Sequence, residues 1–149
     1  KKSQNLLITH SPGRKKRARY KNTEKILRVI KQVGINYKII LDMEHKDCLA
    51  LKGKSHICID QMSRPGIGKS GLEGISMGCV VVSSFNHDLL HDTIYYNSPV
   101  LQANNRLELK KVLTSLKNKD VLDHYTKRTL DWRDRISYKN TAAYLDELL

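Results

Sequence analysis

Pro65-Gly-Ile-Gly-Lys-Ser-Gly-Leu-Glu-Gly-Ile-Ser-Met-Gly-Cys-Val-Val-Val-Ser83 organises the rest of the chain. It reads as a glycine loop, a short helix carrying one acid, a glycine stop and an apolar run. Gly66, Gly68 and Gly71 follow His56-Ile-Cys-Ile-Asp60, which reads as a buried strand. Gly78 suits a helix C-terminus, where a left-handed residue stops the helix. Cys79 to Val82 reads as a second buried parallel strand, because β-branched residues run on without alternation. Strand, loop, helix and strand make a βαβ unit. Its glycines let backbone N–H groups approach an anion at the helix N-terminus. A tight turn into a helix is the plainer reading of the same glycines. Glu73 adds to the pattern. It lies about one and a half turns into the helix, and it is the only acid between Asp60 and Asp88. It reads either as a solvated helix residue or as an acceptor for a ribose diol beside a phosphate site.

Working outward, Asn5-Leu-Leu-Ile-Thr-His10 is a first strand, and Ser11-Pro12-Gly13 turns the chain at its carboxyl end. Ligands bind at such ends in open α/β sheets. Thr23 can cap a helix with Ile26, Leu27, Ile30 and Val33 on one face and Gly34 at its end. Tyr37 to Leu41 is the second strand, Asp47 to Leu51 a short helix, and Ile57 to Asp60 the third strand. Asp88 to His91 forms a helical turn, and Pro99 to Gln102 a short fifth strand. Asn105 can cap a helix presenting Leu107, Leu109, Val112, Leu113 and Leu116. Asp120 to Leu149 reads as two more helices, with Leu122, Tyr125, Trp132 and Ile136 turned inward. Alternating strands and helices predict an α/β fold with a doubly wound, mainly parallel, Rossmann-like sheet. Helices cover both faces, extra helices lie at the C-terminus, and residues 1–149 form a single domain.

The net charge is +12, and it is unevenly placed. Residues 1–40 carry twelve Lys and Arg against one acid, Glu24. The centre of that excess is Gly13-Arg-Lys-Lys-Arg-Ala-Arg-Tyr-Lys21. Such a run reads as a solvated loop, or as a patch for nucleic acid or an anionic surface. A diphosphate ligand needs only two or three of these charges. No apolar run approaches membrane-spanning length, and no signal peptide is visible. Cys48, Cys58 and Cys79 lack metal-ligand spacing and read as reduced core residues. These features lead to an expectation of a cytoplasmic protein. The six histidines lack zinc-like spacing, and His87 and His91 stand four apart without further ligands. Gly-Lys-Ser at 68–70 lacks a phosphate-loop glycine at position 63, which is Ser63. No Ser–His–Asp arrangement is detectable.

Residues 65–82 resemble the carboxy-terminal signature of retaining GT-B glycosyltransferases of the large group-1 family. That signature runs Glu-Gly-Phe-Gly, four residues, Glu-Ala-Met-Ala, one residue, Gly, one residue, Pro-Val-Val. Pro65 stands at the first acid of the pattern, and Val80 at its proline. Further upstream, His10-Ser-Pro-Gly and Lys21-Asn-Thr resemble the family's His-x-Pro-Ser and Lys-Gly-Thr. The resemblance implies that Glu73 binds the nucleotide ribose and that Gly66 and Gly68 face the donor. It assigns the diphosphate to Arg14, Lys21, Gly66, Ile67, Gly68, Lys69 and Ser70, with Arg17 a rival to Arg14. It also implies a hexosyltransferase-like, retaining transfer from a nucleoside-diphosphate sugar, in glycan or polysaccharide synthesis, with no metal and no cofactor. The acceptor side and its catalytic residues would belong to an amino-terminal domain preceding this chain, and the chain alone would bind donor without transferring it.

Two other readings stand beside this one. The basic loop could serve a nucleic-acid-binding α/β module. Only Tyr20 interleaves with the charges, which argues against a single-strand binder. A non-catalytic interaction domain is the other, and Pro65 favours it. The same loop also suits peripheral contact with an anionic membrane.

Overall fold

The computed structural model describes residue 2 and residues 4–12, 22–63, 65–84, 86–90 and 97–137. Five parallel strands form one sheet in the order β2-β1-β3-β4-β5. They are β1 (Leu7–His10), β2 (Asn36–Ile39), β3 (Ile57–Ile59), β4 (Val80–Ser83) and β5 (Leu101–Gln102). The helices are α1 (Thr23–Val33), α2 (His45–Lys54), α3 (Lys69–Ser76), α4 (Arg106–Leu116) and α5 (Lys119–Arg135), with a 3-10 turn at His87–Leu90. The expected α/β, doubly wound, Rossmann-like arrangement is present.

Burial follows strand position. β3 and β4 lie inside the sheet and are buried throughout. β2 is an edge strand that alternates exposed and half-buried residues, with Asn36 and Lys38 outward. A polar, charged edge resists pairing with another sheet. Successive side chains point to opposite faces of a strand, so β3 and β4 feed two cores. Ile57, Ile59, Val80 and Val82 join α1 and α4 residues such as Ile26, Ile30, Leu109 and Leu113. Cys58 and Val81 join Ile75, Cys79, Val100 and Trp132 on the other side. α1 packs on α4, and α2 packs on α3. α5 links the two faces. Its Val121, Leu122 and Tyr125 pack against the first core, and Trp132 and Ile136 border the second.

Several local expectations change. Asn22, in left-handed backbone at φ 54°, precedes α1 and makes no side-chain cap. Thr23 is the first helical residue, and its hydroxyl meets His10 Nε2 at 2.9 Å. Gly34 does end α1 in left-handed backbone, its N–H donating to the Ile30 carbonyl. α2 is twice the expected length, and the added residues include Lys52, which is fully buried. Leu107 is 63% exposed. Leu109, Leu113 and Leu116 define the buried stripe of α4, and a residue two before Leu109 falls on the far side of the helix. Asn105 caps α4 as expected, accepting from the Glu108 N–H at 2.9 Å. β2 ends at Ile39, β3 at Ile59, and β5 is only two residues long. The tail forms one helix through Arg135, and the second expected helix lies outside the described residues, as does His91.

Candidate functional site

The chain leaves β1 for β2 on one side and returns for β3 on the other. The strand order therefore reverses between β1 and β3, and the crevice at their carboxyl ends is the usual ligand position of such sheets. His10 closes the β1 end. Its Nδ1 lies 2.7 Å from the Ile59 carbonyl oxygen, which can only accept. In the neutral ring Nδ1 therefore carries the proton, and Nε2 accepts from the Thr23 hydroxyl. One fully buried side chain thus joins β1, β3 and the start of α1.

The glycine loop is built around a buried acidic side chain. Asp60 follows β3 and is fully buried, and its carboxylate accepts the Gly68 N–H at 2.6 Å. The Ser83 hydroxyl lies 3.5 Å from the same oxygen. A Cβ on Gly68 would stand 3.2 Å from both Asp60 oxygens. A Cβ on Gly71 would stand 3.0 Å from one of them and 2.8 Å from Ile67 Cγ2. These two glycines make room for Asp60. Gly66 serves the turn itself, at φ 134° with open space around it. Its N–H donates to the Ser84 carbonyl, and its own carbonyl accepts from the Ser83 hydroxyl, both at 2.9 Å. Helix geometry leaves the N–H groups of Lys69, Ser70 and Gly71 without intrahelical acceptors.

Glu73 lies on α3 with its side chain 16% exposed. The Lys52 ammonium, on α2, donates to Glu73 Oε2 at 2.7 Å and to the Ser70 carbonyl and hydroxyl, each at 3.1 Å. All three ammonium donors are used. His45 Nε2 lies 3.0 Å from the other oxygen, Glu73 Oε1, and Lys69 Nζ lies 3.9 Å from it. Burial works against ionisation of Glu73. Lys52 and then His45 outweigh it and hold the carboxyl below its ordinary range. Burial also works against the Lys52 ammonium, but Cys58 and Glu73 raise its pKa above the ordinary lysine value. Burial, with Cys79 alongside, pushes the Cys58 thiol up to about 12. At neutral pH that thiol is uncharged, so Glu73 is the negative partner of Lys52.

These groups border a pocket of about 350 Å³. Ser11 and Ile40 to Met43 line it from the ends of β1 and β2, His45 and Cys48 from α2, and Lys69, Ser70 and Glu73 from α3. Leu41 and Met43 are 51% and 40% exposed there. Asp42 between them adopts left-handed backbone at φ 47°. The structure thus brings three of the expected residues, Lys69, Ser70 and Glu73, to one pocket. Gly66 and Gly68 lie in the adjoining loop, and Ile67 packs against the second core. Pro65 is exposed in the same loop. Arg14, Arg17 and Lys21 lie outside the described residues. Lys52, His45 and Asp60 were missed by sequence reasoning. A mid-helix lysine reads as solvated, and an acid after an apolar strand reads as the start of a loop. A larger cleft of about 510 Å³ between α1 and α4 has basic and neutral walls and no carboxylate.

Among the described residues, no group of three or more His, Cys, Asp or Glu is placed to hold a metal ion. Cys48, Cys58 and Cys79 are buried and free, as core residues should be. Among the described residues no helix is long and apolar enough to cross a membrane. No family model and no curated protein matches the chain.

Proposed function

We propose that this domain binds a nucleoside-diphosphate sugar as donor for glycosyl transfer, in the manner of the donor half of a retaining GT-B glycosyltransferase. The observation that carries the reading is Glu73, a partly buried carboxylate kept ionised at a pocket on the carboxyl side of a parallel sheet. An ionised carboxylate only accepts hydrogen bonds, so its ligand must offer donors, and a ribose diol offers two. Leu41 and Met43 supply exposed apolar surface for a base. The first turn of α3 offers N–H groups and the positive end of the helix dipole to phosphate. Lys69 adds a charge there with its side chain 84% exposed. In the sequence, Arg14 and Lys21 fall between Pro12, after β1, and Asn22, before α1.

In this reading the diphosphate is the leaving group, and fixed positive charge stabilises it without a metal. The acceptor and its catalytic groups come from a separate amino-terminal domain. Peripheral contact of the basic loop with an anionic membrane in the cytoplasm is part of the same proposal. Pro65 favours a second reading, a donor-binding domain without transfer chemistry, because a neutral ring stands where the family motif has an acid. Calorimetric titration with UDP, GDP, ADP and CDP and their hexose conjugates tests the common part. One nucleoside diphosphate should bind, and its 2′,3′-dideoxy analogue should bind more weakly. Absence of binding to every member of the panel would overturn both readings.

A further inference from the structure

The least expected group in the molecule is a lysine with no solvent exposure. Lys52 is the bulkiest of the fully buried side chains, and its Nζ sits where α2 packs on α3. It bonds to one oxygen of Glu73 and to both oxygens of Ser70. Ser70 belongs to the first turn of α3, and Glu73 lies one turn further on. A hydrophobic pair in place of Lys52 and Glu73 would fill this space without desolvating charges, and replacing both members of a buried ion pair is often neutral or stabilising. Packing alone therefore gives no reason for an ammonium here.

The arrangement divides the carboxylate. Oε2 is held from within by Lys52, whereas Oε1 lies beside His45 and Lys69, which line the pocket with side chains 61% and 84% exposed. We propose that Lys52 is a positioning residue for nucleotide binding: it clamps Oε2 and the first turn of α3, so that Oε1 and the helix N-terminus present one preorganised surface to the ligand. The proposal rests on the nucleotide reading above and deepens it. Holding a recognition group in its bound geometry removes an ordering cost at binding. Tying Glu73 and Ser70 to the same ammonium also couples ribose recognition to phosphate recognition. A ligand hydroxyl that reaches Oε1 exchanges with or joins His45, which is solvent-facing and can move, whereas Lys52 stays.

Among the described residues, the groups facing Glu73 are Lys52 and His45 from α2 and Lys69 from α3 itself, with Ser70 beside it and the Cys48 and Cys58 thiols nearby. Among the described residues, removing Lys52 leaves the exposed His45 and Lys69 beside the carboxylate, while its burial persists. Burial then raises the carboxyl pKa. The test is calorimetric titration of wild type, Lys52→Met, Glu73→Gln and the double variant with the tightest-binding nucleoside diphosphate. Lys52→Met should weaken binding about tenfold or more, as expected for a lost charge-assisted contact. The two losses should be less than additive in the double variant, because Lys52 acts in part through Glu73. In Lys52→Met the affinity should also fall more steeply than in wild type as the pH is lowered, because the carboxyl that recognises the ligand protonates more readily without its ammonium partner.

Equal affinity of Lys52→Met and wild type overturns the proposal, as does additivity in the double variant. Failure of wild type itself to bind any nucleoside diphosphate sinks the nucleotide reading instead. Should Lys52→Met not fold, the wild-type Lys52 ammonium is followed by nitrogen-15 NMR during nucleotide addition. A shift of that resonance on saturation supports the clamp, and an unmoved resonance overturns it.

Discussion

The Lys52 ammonium lies 2.7 Å from Glu73 Oε2, with the lysine side chain wholly buried and the glutamate side chain 16% exposed. The two residues are 21 positions apart in the chain and belong to different helices. Removing one member of such a pair strands a charge, which costs about 3–5 kcal/mol where the site is dry. Lys52→Met should therefore lower stability by an amount near that range. Lys52→Met/Glu73→Gln should recover much of it. Urea denaturation of the three proteins gives the comparison, and a double variant no more stable than Lys52→Met would show that the cost is lost packing.

The same pair sets a pH window. The carboxyl of Glu73 is held below its ordinary 4.5, so its contribution is fully present above 4.5 and is lost as pH falls through the lower folded value. Lys52 is raised above its ordinary 10.5, so its contribution is fully present below 10.5 and is lost as pH rises through the folded value. The stability difference between wild type and the doubly neutral variant should be level between these limits and change beyond each. A difference that varies steeply between about pH 6 and 9 would assign the effect to other groups.

Glu73→Gln should weaken nucleoside diphosphates about ten- to a hundredfold, since charge-assisted hydrogen bonds contribute about 1.5–3 kcal/mol each. The amide keeps the shape and loses the charge. Most of that loss should vanish when the ribose hydroxyls are absent from the ligand. A 2′,3′-dideoxy nucleotide that discriminates wild type from Glu73→Gln as strongly as the parent nucleotide would place the carboxylate against the base or the phosphate.

Gly71→Ala should destabilise the domain by about 1–3 kcal/mol, the usual cost of overpacking. The new methyl would stand 2.8 Å from Ile67 Cγ2 and 3.0 Å from an Asp60 oxygen. Gly74→Ala should cost a similar amount, because its methyl meets Cys58 Cβ at 2.9 Å and Val81 Cγ2 at 3.1 Å. Thermal denaturation distinguishes these from Lys69→Ala, which removes an exposed side chain and should leave the melting temperature almost unchanged.

Lys21→Ala should reduce affinity for a nucleoside diphosphate far more than for the bare nucleoside. Its proposed partner is the diphosphate, so base and ribose contacts survive the change. Added salt should weaken diphosphate binding in wild type, because partly exposed charge pairs are screened. Equal losses for nucleoside and diphosphate would remove the basic loop from the phosphate site. Displacement of every nucleotide sugar by a short oligonucleotide at physiological salt would favour the nucleic-acid alternative.

What could be read from the sequence was local. Continuous β-branched residues placed β4, Gly34 and Gly78 marked left-handed helix stops, and Asn105 carried its cap, because each depends on neighbours a few positions away. Glu73 stood out as a lone acid in a short glycine-flanked helix. The partners of these residues were not legible. Asp60 fills the space beside Gly68 and Gly71 only because β3 ends under the loop. His10 reaches Thr23 only because β1 and α1 meet at the crevice. Lys52 reaches Glu73 only because α2 and α3 pack side by side. Periodicity and propensity report which face of an element is apolar. They carry no information on which polar groups meet across elements, and a buried lysine has the same local signature as an exposed one. The sequence alone determined the alternation of strands and helices and the glycine turns. Tertiary packing alone decided which charges were buried together, because desolvation and pairing exist only once distant segments exclude water between them.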